Sequence, residues 1–386
     1  MRTEQRVERY KRDLVELLSK TYGPRLEKVL ESLGKPPKKY AVRVNTLRTS
    51  VDEALERFSE AGVECSPHEE IGEAILLDIS GPHPITCTGK VVTAKKHAAE
   101  SVMLGSNLYL PGVMRMERVK VGDRTIVVDP RGNTVASGRT AVHSGIRGAE
   151  GIAVFTEESI YRLPAIRESS LFLEGKIQEQ SLPAIYTTVV LDPQPGETVI
   201  DMCAAPGGKA SHIAQLQNDC GRVLAFEHSP GRVDRMKRVL SRLGIRSVRV
   251  ERADARYLDR DYPSLRADRV LVDPPCTALG VRPKLYEEAG AAEVLSSAEF
   301  QKQFLRAAVN VLKPGGILVY STCTLSYEEN EGVVRFAEDE LNLELDEPPL
   351  RLAGAGEGIG YSECVRFDPD RYEAPGYFIA RFRRSR

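Results

Sequence analysis

Tryptophan is absent from all 386 residues, and this absence, with abundant Arg and Glu, is compatible with a thermophilic protein. Net charge is also absent: Lys and Arg balance Asp and Glu to −1, so no global excess of one sign marks a nucleic-acid partner. None of the seven cysteines forms a Cys-x-x-Cys pair, and His68, His83 and His97 share no zinc spacing with Cys65 or Cys87. No metal is therefore expected. With no secretory leader in evidence, free thiols point to a reducing, cytoplasmic setting. No apolar run approaches membrane-spanning length, so no membrane partner is expected. Neither G-x-G-x-x-G nor G-x-x-x-x-G-K-[ST] occurs, which weighs against a pyrophosphate-bearing nucleotide.

What is present is organised in blocks, in a chain long enough for two or three domains. Basic residues gather at the start (Arg2, Arg6, Arg9, Lys11, Arg12, Lys35, Lys38, Lys39, Arg43) and at the end, from Arg381 to Arg386. Such runs favour RNA or DNA only weakly over a solvated surface. Residues 5–33 read as helices broken at Gly23-Pro24. A strand at Tyr40–Val44, a helix near 50–61 capped by Ser50, and a strand at Ala74–Ile79 follow as an incomplete β-α-β unit. From about Lys90 to Pro164 the texture changes to short strands and turns, a β-rich domain of roughly 75 residues. Leu171–Glu174 is expected to be the strand that rejoins the first unit, which would make the β-rich domain an insertion.

Beyond Gln194, apolar strands alternate with helices, the pattern of a parallel sheet covered on both faces. Expected strands include Val199–Asp201, Val223–Glu227, Val248–Val250, Val270–Asp273 and Ile317–Tyr320, with helices near 208–217, 230–243 and 297–312. Gly376–Phe382 is expected to add an edge strand.

Three motifs at the ends of these strands carry chemistry. Cys203-Ala204-Ala205-Pro206-Gly207-Gly208-Lys209 follows a strand and opens a helix, so its amides face the crevice at the carboxyl end of the sheet. Glu227, ending the next strand, can take a ribose diol. Asp254, after the third, can accept from an adenine amine. Together they suggest a site for S-adenosylmethionine. Asp273-Pro274-Pro275-Cys276 ends the fourth strand, its prolines holding Asp273 and Cys276 toward the same crevice. Cys323, in Ser321-Thr322-Cys323-Thr324, follows the fifth strand. Methylating C5 of a pyrimidine requires a nucleophile at C6, and a thiolate is the best that a protein offers. It also requires an acid near N3 and a base for the C5 proton. Cys276, Cys323, Asp273 and the cation Lys209 cover these tasks.

These residues resemble the Sun-family RNA cytosine-5 methyltransferases. The resemblance spans Gln180–Pro183, Asp201–Lys209, Glu227–Arg232, Asp254, Asp273–Cys276 and Ser321–Asn330, and takes in Tyr40–Leu47, typical of the family's RRM-like N-terminal unit. It implies a class I S-adenosylmethionine-dependent methyltransferase, an α/β protein with a Rossmann-like doubly wound sheet. This is preceded by an RRM-like unit interrupted by a β-rich PUA domain. Expected boundaries are 1–90 and 166–190 for the helices and RRM-like unit, 91–165 for the PUA domain and 191–386 for the catalytic domain. By resemblance Cys323 is the nucleophile, Cys276 assists release of the product, and Asp273 polarises the base with Lys209. Glu227, Arg232, Asp254 and Asp273 would hold the cofactor with the loop Cys203–Lys209. Glu227 stands where the family often has Asp, a longer side chain that still reaches a ribose.

Ala98–Gly112 and Asp129–Gly138 look like a PUA domain, a module that binds structured RNA. A Sun-family enzyme with this insertion resembles the subgroup that methylates cytosine 72 of the tRNA acceptor stem. RNA is thus the expected partner, met through Lys95, Lys96, Tyr109, Arg131 and Arg139, and a monomer is the expected state. Rival readings are a catalytically weak PUA-type RNA-binding protein, an rRNA cytosine-5 methyltransferase, and a DNA enzyme using Cys276 as nucleophile. An amino-methyltransferase is excluded, because that chemistry uses an aromatic residue where Cys276 stands.

Overall fold

Apolar side chains three and four apart give the N-terminal segment two helices, Arg12–Tyr22 and Leu26–Leu33, which bury Leu14, Leu18, Val29 and Leu33. Gly23 and Pro24 separate them, as expected. The computed structural model describes residues 9–143 and 150–385, so the expected helix start at residue 5 and the basic Arg2, Arg6 and Arg386 fall outside it.

Next come β1 (Lys39–Val44), a helix at Val51–Glu60, β2 (Cys65–Pro67) and β3 (Ala74–Asp78). Ser50 caps the helix by accepting from the Glu53 amide at 3.1 Å. Glu53 itself turns to Lys176 Nζ, 2.5 Å away. The intervening strands β4 (Lys90–Ala94), β5 (Leu108–Tyr109), β6 (Val113–Met116), β7 (Arg124–Val128), β8 (Thr134–Thr140) and β9 (Ile152–Ser159) form a separate sheet in the order β5-β9-β8-β7-β4-β6. The β7–β8 turn is built by Asp129, whose Oδ1 accepts from the Arg131 and Asn133 amides, both at 2.9 Å. Leu77–Ala165 with Pro283–Leu285 make one compact unit and the other described residues a second.

The strand that rejoins β1 is not Leu171–Glu174. Ser170–Leu173 is a helical turn, capped by Ser169 Oγ accepting from the Phe172 amide at 3.2 Å. The rejoining strand is β10 (Ile177–Glu179), antiparallel to β1 with Val42 opposite Glu179, and the four-stranded sheet runs β10-β1-β3-β2. An apolar triplet suggested a strand; the cap in front of it settled the conformation.

The largest sheet contains β11 (Thr198–Asp201), β12 (Arg222–Glu227), β13 (Val248–Arg252), β14 (Ala267–Val272), β15 (Leu312–Thr322), β16 (Leu343–Leu345), β17 (Gly356–Gly358), β18 (Tyr361–Phe367) and β19 (Tyr377–Arg384). Its order is β13-β12-β11-β14-β15-β19-β18-β17, with β16 also on β19. The first five strands are parallel and the rest antiparallel. Each face has its own core. Phe304, Leu305 and Val333 from the helices Ala291–Val311 and Glu331–Leu341 cover one; Ile185, Val190 and Ile213 from Leu182–Leu191 and Gly208–Leu216 cover the other. The expected edge strand at Gly376–Phe382 is the interior strand β19, paired to β15, β16 and β18. The hairpin partner β18 carries weaker apolar patterning, and it covers the edge that β19 would have left open.

Two glycines lock β19 to the loop after Cys276. The Gly376 amide donates to the Gly280 carbonyl at 2.8 Å, and a Cβ on Gly280 would lie 2.2 Å from the Gly376 oxygen. Gly280→Ala should therefore destabilise the protein by about 1–3 kcal/mol, as overpacking does. Urea unfolding followed by circular dichroism checks this, and a midpoint unchanged from wild type would contradict the described crossing.

Candidate functional site: a thiol pair beside a nucleoside-sized cleft

β11 has β12 on one side and β14 on the other, so successive crossovers leave in opposite directions and open a crevice at the carboxyl ends. Every expected site residue of the catalytic sheet is at that end. Gly207, with φ of 105°, makes the turn from the β11 loop into the helix Gly208–Leu216, a conformation that a side chain would strain. The loop is also held from the N-terminal unit. Buried Arg43 donates to the Gly208 carbonyl (2.7 Å), the Ser211 hydroxyl (2.9 Å) and Gln180 Oε1 (2.8 Å).

The two expected cysteines, 47 residues apart in sequence, meet with sulfurs at 3.4 Å. Hydrogen bonding to Cys323 and burial push the Cys276 thiol well above the usual value, so Cys276 keeps its proton and can donate it toward Cys323. Beside them Asp273 takes Lys209 Nζ on Oδ2 at 2.7 Å, and Ser321 Oγ (2.7 Å) and Tyr377 OH (3.0 Å) on Oδ1. Burial opposes the charge on Lys209, but Asp273 and Tyr377 outweigh it and hold the ammonium above its ordinary range. Lys209 thus carries a proton at any working pH.

A cavity of about 290 Å³ extends from the thiols, lined by Cys203, Glu227, Asp254, Pro274 and Phe304 among others. Glu227, 4 % exposed, accepts from the Ser229 amide at 2.9 Å and has Arg232 Nε 3.3 Å away. Arg232 also donates to the Ala205 carbonyl at 2.9 Å, tying the glycine loop to the β12 end. Asp254 faces the cavity but is forked by Arg256, with Nη2 at 2.5 Å. Burial raises the Cys203 thiol, and nearby Asp201, Asp273 and Glu227 raise it further, so it stays a neutral wall. Two strand-end carboxylates, apolar walls of Ala253, Ala255, Pro274 and Phe304, and a thiol pair at one end suit a nucleoside carrying a transferable group, as expected for S-adenosylmethionine.

The residues expected to meet RNA lie in the other compact unit. Lys95, Arg131 and Arg139 are exposed and Tyr109 is 54 % exposed, whereas Lys96 is half-buried and 3.3 Å from Glu100. Arg139 is paired with Glu157 at 3.0 Å. Two residues that touch Asp273 were given no role in the reading of the sequence: Ser321 and Tyr377. Ser321 sits two positions before Cys323 on an extended chain, a spacing that could have exposed it. Tyr377 comes from 104 residues beyond Asp273, with no local signal.

Comparison with known proteins agrees with this geometry. Residues 188–383 match the family model for 16S rRNA methyltransferase RsmB/F. Residues 12–84 match the ferredoxin-like domain of RsmF/B-like methyltransferases, and 90–146 a PUA domain. The tRNA (cytosine(72)-C(5))-methyltransferase of Pyrococcus horikoshii is 36 % identical over 98 % of each chain. The tRNA (cytosine(72)-C(5))-methyltransferase NSUN6 of Homo sapiens is 31 % identical over 97 % of this chain and 90 % of its own. The crystal structure of NSun6 from Pyrococcus horikoshii with SFG superposes with a TM-score of 0.91 over 98 % of this chain and all of that one.

Asp201, 1 % exposed with Oδ2 unpartnered, has its pKa raised from 3.8 to about 7. Burial is the main cause; Lys209 opposes it and Asp273 adds to it. The unfolded chain releases this proton near pH 4 and the folded chain near 7. This contribution to stability is therefore full below pH 4 and is lost as pH rises through 7. Asp201→Asn removes the titration. The loss of thermal stability between pH 5 and pH 8 should accordingly be smaller in the variant than in wild type, by an amount on the order of a few kcal/mol. Parallel pH profiles would refute the assignment.

Proposed function

The chain belongs to the RsmB/F methyltransferase family, and from that premise we propose that it is an S-adenosylmethionine-dependent tRNA (cytosine-5) methyltransferase acting on cytosine 72. The single observation that carries this is the 3.4 Å thiol pair beside the Lys209–Asp273 pair. Likeness to tRNA cytosine-72 enzymes over nearly the whole length, inserted unit included, favours this substrate over rRNA.

S-adenosylmethionine supplies, when bound, an electrophilic methyl group. Glu227 and Asp254 at the strand ends hold the nucleoside, with Arg232 fixing Glu227 against the loop Cys203–Lys209. The Cys323 thiolate adds to C6 of the cytosine and makes C5 electron-rich. Lys209 and Asp273 place a proton beside N3, where charge develops as the C6–S bond forms. After methyl transfer the C5 proton passes to solvent water acting as the base, the ring double bond re-forms, and the C6–S electron pair returns to Cys323. The Cys276 S–H, kept protonated by its surroundings, donates to that departing sulfur and so assists release.

The exposed Lys95, Tyr109, Arg131 and Arg139, with Lys96, are the contacts we assign to the tRNA acceptor stem and 3′ end. A base in a stem must leave its stack to reach the thiols, at a cost of a few kcal/mol, and a pair near a helix end lowers that cost. We place the enzyme in the cytoplasm as a monomer; among the described residues no helix is long and apolar enough to cross a membrane.

Cys276→Ala, incubated with S-adenosylmethionine and a tRNA transcript, should accumulate a denaturant-resistant protein–RNA adduct on a gel. Cys276→Ala with Cys323→Ala should give none, and replacing cytosine 72 by uracil should remove the adduct as well. Adduct on rRNA fragments but not on tRNA would transfer the assignment to rRNA. Asp273→Ala should lower kcat by about 10²-fold or more, measured by methyl incorporation at saturating RNA.

A further inference from the structure

Cys276 and Cys323 sit on separate loops, and each is followed by a threonine. Thr277 Oγ1 and Thr324 Oγ1 lie 2.8 Å apart. Both threonines reach Glu329, a carboxylate with no exposed surface. Its Oε1 accepts from the Thr277 amide and from Gln301 Nε2, both at 2.9 Å. Its Oε2 accepts from Thr277 Oγ1 at 2.5 Å, Ser326 Oγ at 2.9 Å and Thr324 Oγ1 at 3.1 Å. We propose that Glu329 is the positioning residue that sets the separation of the two thiols; this rests on their being the catalytic pair.

Five donors converge on one side chain, and only a carboxylate offers that much accepting capacity without a proton of its own to place. The protons can be followed. Thr277 spends its hydroxyl proton on Oε2, so the single Thr324 hydroxyl proton is shared between Thr277 Oγ1 at 2.8 Å and Oε2 at 3.1 Å and ties the two threonines to each other and to the carboxylate. Gln301 extends the grip to the other side of Cys276, its Nε2 lying 3.2 Å from the Pro275 carbonyl. Cys276 is thereby fixed on both flanks. The Cys323 loop is tied to the same hub through Thr324, and again through the Cys323 carbonyl, which accepts from the Gly280 amide at 2.9 Å.

Burial alone does not require this arrangement. Glu331, two residues on and equally buried, answers Arg366 at 2.6 Å and is part of an ordinary ion pair. The four residues that donate to Glu329 (Thr277, Gln301, Ser326 and Thr324) are all neutral, and three of their five hydrogen bonds come from the residues immediately following the two cysteines. Transfer of a proton between two sulfurs, or donation toward a departing one, depends on a separation that neither loop defines by itself. Displacements of about 1 Å at such a place cost on the order of 10²-fold in rate.

The test is Glu329→Ala with two readouts. The first is the equilibrium with glutathione, in which both thiols and one oxidised glutathione give a Cys276–Cys323 disulfide and two reduced glutathiones, followed by peptide mapping. The second is the division between kcat and KM. The equilibrium constant should fall at least tenfold, kcat should fall by a similar factor, and KM for S-adenosylmethionine should stay within twofold. Glu329→Gln, which keeps one accepting oxygen and can rewire the hydroxyls, should recover part of both losses. A folded Glu329→Ala with equilibrium and kcat within twofold of wild type overturns the proposal. Should the alanine variant fail to fold, Thr324→Val is measured instead. At least a threefold fall in the disulfide equilibrium supports the proposal, and no change overturns it. The glutathione equilibrium involves no methyl transfer. A shift there, in a protein whose wild type methylates no RNA, would therefore uphold the positioning of the thiols while removing the catalytic reading.

Discussion

A lysine ammonium and a carboxylate at 2.7 Å, both largely withdrawn from water, impose the strictest condition on this molecule. Desolvating two charges is tolerable only if each is fully answered, and an unanswered partner is severely destabilising. Lys209 comes from the helix after β11, Asp273 from the end of β14, Ser321 from β15 and Tyr377 from β19. Four separate segments must therefore arrive together before the charges are satisfied. The parallel sheet provides this because all its carboxyl ends open on one crevice, while β19, running the other way, delivers its first residue to the same end.

The N-terminal unit is coupled to this centre by chemistry that also tolerates no slack. Burial holds Arg43 well below its usual range, to about 9, with the repulsion of Arg242 adding and Glu73 opposing. Its guanidinium is spent on Gly208, Ser211 and Gln180. The strand β1 thus reaches into the first turn of the helix that carries Lys209. An accessory domain that might have been a detachable RNA platform instead shares its core with the catalytic sheet, as Ala41, Ala74 and Val199 belong to one cluster.

Much of this was legible from local pattern. Strands ending in Asp273 and Cys323 are continuous apolar runs, and polar residues that follow such runs fall at the active edge of a parallel sheet. The cysteines were readable as a pair, because both follow strands that end at one crevice; either alone reads as a buried small hydrophobe. What stayed hidden was whatever depends on pairing across long separations. Tyr377 reads as one more β-forming aromatic, and only the pairing of β19 with β15 brings it to Asp273. Glu329 falls in the stretch Ser321–Asn330 that carries the resemblance, but no pattern distinguishes it from Glu328 beside it, so no role was read for it. The misread strand at Leu171–Glu174 belongs to the same class of error: three apolar residues define no period, and the hydroxyl of Ser169 decided between two local minima.

The crossing of Gly280 and Gly376 carries a consequence in time as well as in space. A chain emerging from the ribosome presents its segments in order, and domains fold as they are released. Both thiols, Lys209 and Asp273 emerge before Gly376, yet the loop between Cys276 and Gly280 is closed only when Gly376 lays its backbone across it and Tyr377 reaches Asp273. The nascent protein can thus pair Lys209 with Asp273 before the last hydroxyl on that carboxylate has arrived. The site is completed late, by a strand that brings the Tyr377 phenol to it.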